Sequence, residues 1–471
     1  MGFVDALAKL GSALPSIPRP ERRPELPRRF LYTGIALALY ILMTAVPLYG
    51  IETAGGFQAP EIMAVVFAMQ QGTLAQLGIG PIVTAGLILQ ILVGAEIIKL
   101  DLTDPEDRRK FTLAEKGLAF LIAAVEAGGY TLNCSIFWTP IPGGHPIFQC
   151  TAPFYIRALV WLQLVVATMF ILLLDELLGR GWGIGSGISL FILGGVAKRM
   201  FIDLFSPLAT GENGEPIGFV PYIIHSAITG KFNFWDIILR YDPEVRTLLP
   251  SLIGLVGTFI LIAIIVYLQS MRINIPITSQ RAPGIRTRIP LQFLYVSNIP
   301  VLLASILFSN IMLFEQLSRG IGPLNAFLRT LATYTRAPNF IAIVYDPIRV
   351  AIYSALLVGL SLAFGFMWVE LAGLSPSAQA NNLIKSGLEI PGMRRNPRIL
   401  EGLLAKYIYP LTFISSIIVA LIAIAGSILN VYGGGIGILL ATGIIANFYS
   451  IIAYERALAA YPLLKKIIGE E

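Results

Sequence analysis

Gln76–Leu100 reads QLGIGPIVTAGLILQILVGAEIIKL, and its interpretation decides the fold. From Ile79 to Ile98 it has the length and apolarity of a membrane span, since about 20 apolar residues cross a bilayer as a helix. It opens, however, on Gly78, Gly80 and Pro81, which weaken a helix start. Just before it lies PEIMAVVFAMQQG, Pro60–Gly72, apolar but too short to cross. A half-length apolar segment ahead of a Gly/Pro-opened span is tolerated at membrane depth only where it rests inside protein.

The rest of the chain supports a membrane setting. Its 471 residues are 56% hydrophobic and only 13% charged, with a mean hydropathy of +0.75. Soluble domains carry about 25% charged residues, and a β-barrel would show short alternating segments. The pattern predicts an all-α polytopic membrane protein with ten transmembrane helices: Phe30–Tyr49, Ile79–Ile98, Leu113–Phe137, Tyr155–Leu178, Ile188–Phe205, Leu249–Met271, Leu291–Leu313, Val350–Leu371, Tyr407–Leu429 and Gly437–Tyr454. Met1–Arg29 is amphipathic and rich in Pro and Arg without an apolar core, so no cleavable signal peptide is expected in it.

Orientation follows from the Lys/Arg bias of short loops. With the N-terminus inside, most of the 34 basic residues fall in inside segments. An even number of spans then puts both termini in the cytosol. The net charge of +6 is accordingly read as loop orientation before nucleic-acid binding.

Ten spans divide into five plus five. The expected layout is a cytosolic segment 1–29, a first half 30–205 holding a short plug at about 57–72, and an external linker 206–248. A second half 249–454 follows, with cytosolic loops 272–290 and 374–406, and then a cytosolic tail 455–471. Pro81 and Pro300 interrupt the second span of each half. Paired interrupted helices suggest two pseudo-symmetric halves with a functional site between them.

No enzyme signature stands out. There is no GxxxxGK[ST] loop, and Gly181–Gly187 (GWGIGSG) follows no strand, so it reads as a tight interhelical turn. Cys134 and Cys150 are too few for a metal site, as are the distant His145 and His225, and no cofactor is expected. The two cysteines fall on the outer side, where a disulfide and two unpaired thiols are both open. Glu126 lies midway through the third span, where a charge is costly. It is either a coupling site of a transporter or hydrogen-bonded to polar neighbours such as Thr84 or Asn310 on facing helices. The basic cytosolic stretches Arg281–Pro290 (RAPGIRTRIP) and Gly392–Pro410 (GMRRNPRILEGLLAKYIYP) are longer than topology requires. They read as docking surfaces for an acidic partner, ribosomal RNA included.

Four stretches in register carry a family resemblance: LGIGPIVTAGLILQILVG, GWGIGSGISLFI, FLYVSNIPVLLASILFSNI and the basic stretch ending AKYIYP. Across nearly its whole length the chain resembles the SecY family, the central alpha subunit of the Sec protein-conducting channel, in its archaeal or eukaryote-like form. The resemblance implies a two-halved clamshell around an hourglass pore, in the cell membrane. It implies a constriction of Ile79, Val83, Ile188, Ile192, Leu302 and Leu440, with Leu440 the least secure because the Gly433–Gly437 run blurs the register. Ile79/Val83 and Ile188/Ile192 are i,i+4 pairs, so each pair shares a helix face.

The segment around Pro60, Ile62, Met63, Val65, Val66, Phe67 and Met69 resembles the family's plug, with Gly72 and Gly78–Pro81 as its hinge. A lateral gate between spans two/three and seven/eight is implied, and Thr84, Gln90, Glu126, Asn298 and Asn310 are the polar residues expected to hold it shut. Arg286, Arg288, Arg394, Arg395 and Arg398 are the expected ribosome-docking residues. The implied partners are a SecE-like gamma subunit, a beta subunit, the ribosome, signal sequences, nascent polypeptides and the lipid bilayer. The rival class is a secondary transporter using Glu126, and it predicts saturable uptake of a small solute.

Overall fold

A computed structural model describes the chain except residues 1, 23, 51–60, 96, 99, 101–103, 133–152, 211–214, 231–232, 243–246, 280–285, 319–321, 386–387, 390–396 and 461–471. The expected pair Cys134 and Cys150, together with Pro60, Arg394 and Arg395, lies outside the described residues.

The helices run in chain order as α1 (Phe3–Ala13), α2 (Leu26–Met43), α3 (Glu61–Val66), α4 (Gly80–Gly94), α5 (Pro105–Leu132), α6 (Phe154–Leu177), α7 (Gly187–Phe205), α8 (Phe219–Ile228) and α9 (Phe234–Ile238). They continue as α10 (Leu252–Ser270), α11 (Ile299–Leu317), α12 (Gly322–Thr335), α13 (Phe340–Tyr345), α14 (Pro347–Leu371), α15 (Pro376–Lys385), α16 (Pro397–Ile428) and α17 (Gly435–Ala460). Each of the ten expected spans carries a helix. Seven, in α2, α6, α10, α11, α14, α16 and α17, combine enough length and apolarity to cross a membrane. The other three have identifiable reasons to differ. Helix α4 has only 15 residues, about 22 Å at 1.5 Å per residue. Helix α5 carries Glu115, Lys116 and Glu126, and α7 carries Lys198, Arg199 and Asp203. Much of each is turned towards protein, as their buried residues show.

Boundaries shift where polar turns extend a helix beyond its apolar part. Thus α5 starts at Pro105 rather than Leu113, and α16 at Pro397 rather than Tyr407, in charged extensions that hydropathy does not see. Conversely α11 starts late, at Ile299. Leu291 and Gln292 belong to a strand, Ser297 takes φ +53, and Pro300 sits in the first helical turn, where its missing N–H costs nothing. The outer segment 206–248, expected as a plain linker, is built from α8, α9 and two short hairpins. The Arg240 guanidinium lies 3.7 Å over the Tyr222 ring and donates to the Pro216 and Ile217 carbonyls.

Most of the interior is one hydrophobic core shared by α2, α4–α7, α11, α14, α16 and α17, with α3 inside it. Helix α3 packs against α7, α11 and α17. A smaller core joins α15, α16 and the strand pair β1 (Arg272–Ser279) and β2 (Arg286–Gln292) on the basic side. There, β3 (Leu388–Glu389) pairs with Thr278 and Ser279, giving the strand order β2-β1-β3. The two basic loops, separate in the sequence, are therefore hydrogen-bonded to one another.

Candidate functional site

The short helix α3 differs from its sequence expectation in length. The segment Pro60–Gln71 was expected to be helical throughout, but α3 stops at Val66, because Ala68 adopts φ +48 and turns the chain. Phe67–Met69 then runs as irregular backbone through the core, with Val65, Val66, Phe67 and Met69 all buried, and reaches the surface at Gln70. Irregular backbone at this depth must satisfy its polar groups within protein. It does so in three ways. The Ile79 N–H donates to the Phe67 carbonyl at 2.8 Å, Met69 N–H donates to Ala64 O at 3.1 Å, and the Tyr40 hydroxyl donates to the Ala68 carbonyl.

The glycines here are contact residues as much as hinges. Gly78 has φ +53, and a Cβ on it would stand 2.1 Å from the Phe67 carbonyl oxygen. A Cβ on Gly437 would meet Val65 at 3.1 Å and one on Gly195 would meet Ala68 at 3.4 Å; a Cβ on Gly80 would meet the Phe67 ring at 3.2 Å. The plug segment lies in a cradle of small residues from α4, α7 and α17. Gly72, by contrast, has φ +71 with nothing nearby, so backbone conformation alone requires glycine there.

The six expected ring residues lie in the same hydrophobic core as this segment. Ile79, Ile192 and Leu440 are buried, and Val83, Ile188 and Leu302 are half-buried against the same core that holds Val65–Met69. The Leu440 register is set by Gly433 and Gly434, both at φ +77, which turn the chain so that α17 starts at Gly435. The start of α7 is fixed by Asp175, whose carboxylate accepts from Ile188 N–H at 2.9 Å.

The expected gate residues separate into two groups. Thr84 Oγ1 donates to Asn310 Oδ1 at 3.2 Å, joining α4 to α11. Above and below that bond the seam is tight: Gly94 of α4 is packed by Met367 and Leu371 of α14, and Gly129 of α5 by Leu317 of α11. Glu126 is buried in α5, and Gln90 Oε1 is buried in α4 without a hydrogen-bond partner. Asn298 lies elsewhere. Its amide donates to the Leu439 carbonyl, joining the start of α11 to α17 beside the ring.

Among the docking candidates, Arg286 and Arg288 lie on β2, with Arg288 exposed opposite Pro276. Arg398 is exposed on the first turn of α16, beyond the loop that β3 ties to β1. Sequence reasoning missed Tyr40 and Lys198. Lys198 Nζ donates to Thr44 Oγ1 at 3.0 Å and to Gln70 Oε1 at 3.4 Å. A cation inside the fifth expected span was the signal available for it.

A family model, SecY, matches residues 73–449. The chain belongs to the SecY family. Similar curated proteins include the protein translocase subunit SecY of Saccharolobus solfataricus, 45% identical with both chains fully covered, and that of Pyrococcus furiosus, 37% identical with both chains fully covered. Among solved structures, one described as the structure of a protein conducting channel superposes with a TM-score of 0.78 at 30% identity, covering 97% of this chain and 98% of the other. Another, Sec61 in the canine ribosome-channel complex, gives 0.76 at 29% identity with the same coverage. A third, 30% identical over 97% of this chain and 98% of the other at a TM-score of 0.75, carries a description of the SecY plug domain as stabilising the closed channel and maintaining a membrane seal. The SecY family comprises channel subunits of the protein translocase and not catalytic enzymes, so this chain is a multi-pass membrane protein of that channel class.

Proposed function

We infer that this chain is the pore-forming subunit of a protein translocation channel, passing unfolded polypeptides across the membrane and releasing hydrophobic segments sideways into lipid. The observation that supports the mechanism is the shared core of ring and plug: Ile79, Val83, Ile188, Ile192, Leu302 and Leu440 belong to the same hydrophobic core as a buried, non-spanning segment, Val65–Met69. An apolar constriction blocks ions by disfavouring water. Its branched aliphatic side chains close around a passing peptide of any sequence, whereas a polar ring would hold some sequences and leak ions. With the plug seated as here, the pore is shut.

The two helical groups meet where α4 and α5 face α11 and α14, and we assign the lateral gate to this seam. The Thr84–Asn310 bond is its polar latch, worth only about 0.6–2 kcal/mol in a membrane. A weak latch suits a gate that an entering hydrophobic segment must displace. Asn298, bonded to Leu439, is assigned to the ring support instead. The halves 30–205 and 249–454, joined by 206–248, are the two bodies that part.

For partners, the basic loops with Arg286, Arg288, Arg394, Arg395 and Arg398 form the docking face for a ribosome, a reading supported by the similarity to Sec61 in a ribosome-channel complex. Small gamma- and beta-type membrane subunits complete the complex. The protein resides in the cell membrane with both termini cytosolic, as its basic inside loops favour.

The test is current through reconstituted complexes. Replacing Ile79, Val83, Ile188 and Ile192 by Ser should raise resting small-ion conductance well above background. Conductance unchanged from the parent would overturn the seal assignment. Saturable uptake of a small solute, lost in Glu126→Gln, would favour a transporter instead.

A further inference from the structure

We propose that Tyr40 and Lys198 are positioning residues that hold the plug segment seated, forming a two-point polar catch that must be broken before the pore opens. The inference rests on the channel reading above.

Tyr40 lies on α2 and is only 1% exposed. Its ring stacks on Phe191 at 4.4 Å, with 21° between the planes, which fixes the direction of its hydroxyl. That hydroxyl donates to the carbonyl of Ala68, the residue at φ +48 where the plug backbone turns. The carbonyl sits in the core with no solvent to replace the donor, so a seated plug gains the bond and an unseated one exposes both groups to other partners.

Lys198 acts two residues further along the plug segment. Its ammonium reaches Gln70 on one side and Thr44, at the end of α2, on the other. Gln70 itself is anchored: its N–H donates to Ala75 O, and its carbonyl accepts from Thr73 Oγ1. The stretch beyond is pinned to the turn after α2, where Leu48 N–H donates to Gly72 O and Leu74 N–H to Val46 O. The plug therefore has a fixed base at Gln70–Leu74 and a body, Glu61–Met69, held by few polar bonds. Among the described residues, those that come from outside the segment are the Tyr40–Ala68 bond, the Ile79–Phe67 bond and, at the junction, the Lys198–Gln70 bond. Only the first and last come from side chains that a substitution can remove without touching the plug or the ring.

The experiment measures resting conductance of the purified complex in planar bilayers, for Tyr40→Phe, Lys198→Met and Gln70→Glu. Two reference variants accompany them, one lacking Glu61–Met69 and one with Ile79 and Ile192 changed to Ser. Tyr40→Phe keeps the ring on Phe191 and removes only the hydroxyl. One neutral hydrogen bond corresponds to roughly a fivefold change in the conducting fraction, and the Lys198 bond, 3.4 Å long to an exposed Gln70, to about twofold to fivefold. Gln70→Glu gives Lys198 a carboxylate, so conductance should fall below the parent level, a direction no folding defect produces.

Tyr40→Phe and Lys198→Met at parent conductance, with both references leaking, would overturn the catch and leave the channel reading intact. So would Gln70→Glu conducting as much as the parent or more. If neither reference leaks, the seal reading itself fails and the catch falls with it.

Discussion

Gly78→Ala compared with Gly72→Ala separates a contact from a conformation. Both glycines have positive φ, +53 and +71, so an alanine at either costs about 1–2 kcal/mol of left-handed strain. They differ in surroundings. Nothing lies within 4 Å of a Cβ on Gly72, whereas one on Gly78 would stand 2.1 Å from the Phe67 carbonyl and 3.1 Å from Met69 backbone atoms. No rotamer relieves a clash with backbone, so the plug must retreat by about 1 Å or more. The retreat breaks the 2.8 Å Ile79–Phe67 bond, about 1 kcal/mol net, and loosens Phe67 from Gly80, about 1 kcal/mol more for part of a large apolar side chain. These terms act on the seated state alone, and only such differences shift an equilibrium. About 2 kcal/mol corresponds to about a thirtyfold rise in the unseated population. The assay is resting conductance in bilayers, read beside thermal unfolding in detergent. Gly72→Ala should lose only the strain, Gly78→Ala up to about 2 kcal/mol more, and only Gly78→Ala should leak. Equal leak from the two, or none from Gly78→Ala, would refute the view that the plug backbone lies against Gly78 in the closed channel.

At the seam, Thr84→Val and Asn310→Leu should each ease insertion of marginally hydrophobic segments by about threefold to tenfold. In a double-mutant cycle their coupling should not exceed about 2 kcal/mol, as scored by glycosylation or protease protection of inserted segments. Reversing Arg394 and Arg395 to Glu should reduce co-sedimentation with ribosomes, and the parent's binding should weaken steeply with salt; binding indifferent to both would exclude the loop as the docking face. Arg29 is buried and ties α2 to α17 through a 2.6 Å pair with Glu455, and to the α6–α7 turn through the Gly183 carbonyl at 3.0 Å. Arg29→Met should therefore cost about 1–3 kcal/mol by removing the charge-assisted bonds that join α2 to α17 and to the α6–α7 turn, seen as a lowered unfolding midpoint, while the same change at exposed Arg28 should cost nothing measurable.

The spans were legible because bilayer thickness forces a length on an apolar helix, and that length is visible in any hydropathy pattern. Where the structure departed, the physics of the pattern had changed. The helical turns at Pro105–Thr112 and Pro397–Lys406 carry charged residues among the apolar ones, so hydropathy does not report them. Strand β2 runs up to Gln292 because its partner β1 supplies the hydrogen bonds, and no local signal names a partner twenty residues away. The same blindness hid the pairing of β1 with β3. Each basic loop was visible by its charge, but their union depends on hydrogen bonds between segments more than 100 residues apart in sequence.

The site was legible to a different degree for each kind of residue. Apolar ring candidates at Ile79/Val83 and Ile188/Ile192 announce a shared face by their spacing, whatever that face does. Polar residues inside spans announce that they need partners but not which ones: Thr84 and Asn310 found each other, whereas Asn298 found a backbone carbonyl on another helix. Glycine is the most ambiguous signal. A hinge and a close contact impose the same residue for unrelated reasons, one by φ and one by the missing Cβ, and sequence cannot tell them apart. At Gly72 the reason is conformational, at Gly195 and Gly437 it is proximity, and at Gly78 it is both. That distinction carries mechanism: glycines kept for proximity mark the surface against which the plug rests, and the one kept for conformation alone marks the base about which it pivots. A plug that swung about Gly78 would have to drag the ring candidate Ile79 with it, whereas one that swings ahead of the anchored stretch Gln70–Leu74, whose turn Gly72 makes, would open the seal while α4 stays in place.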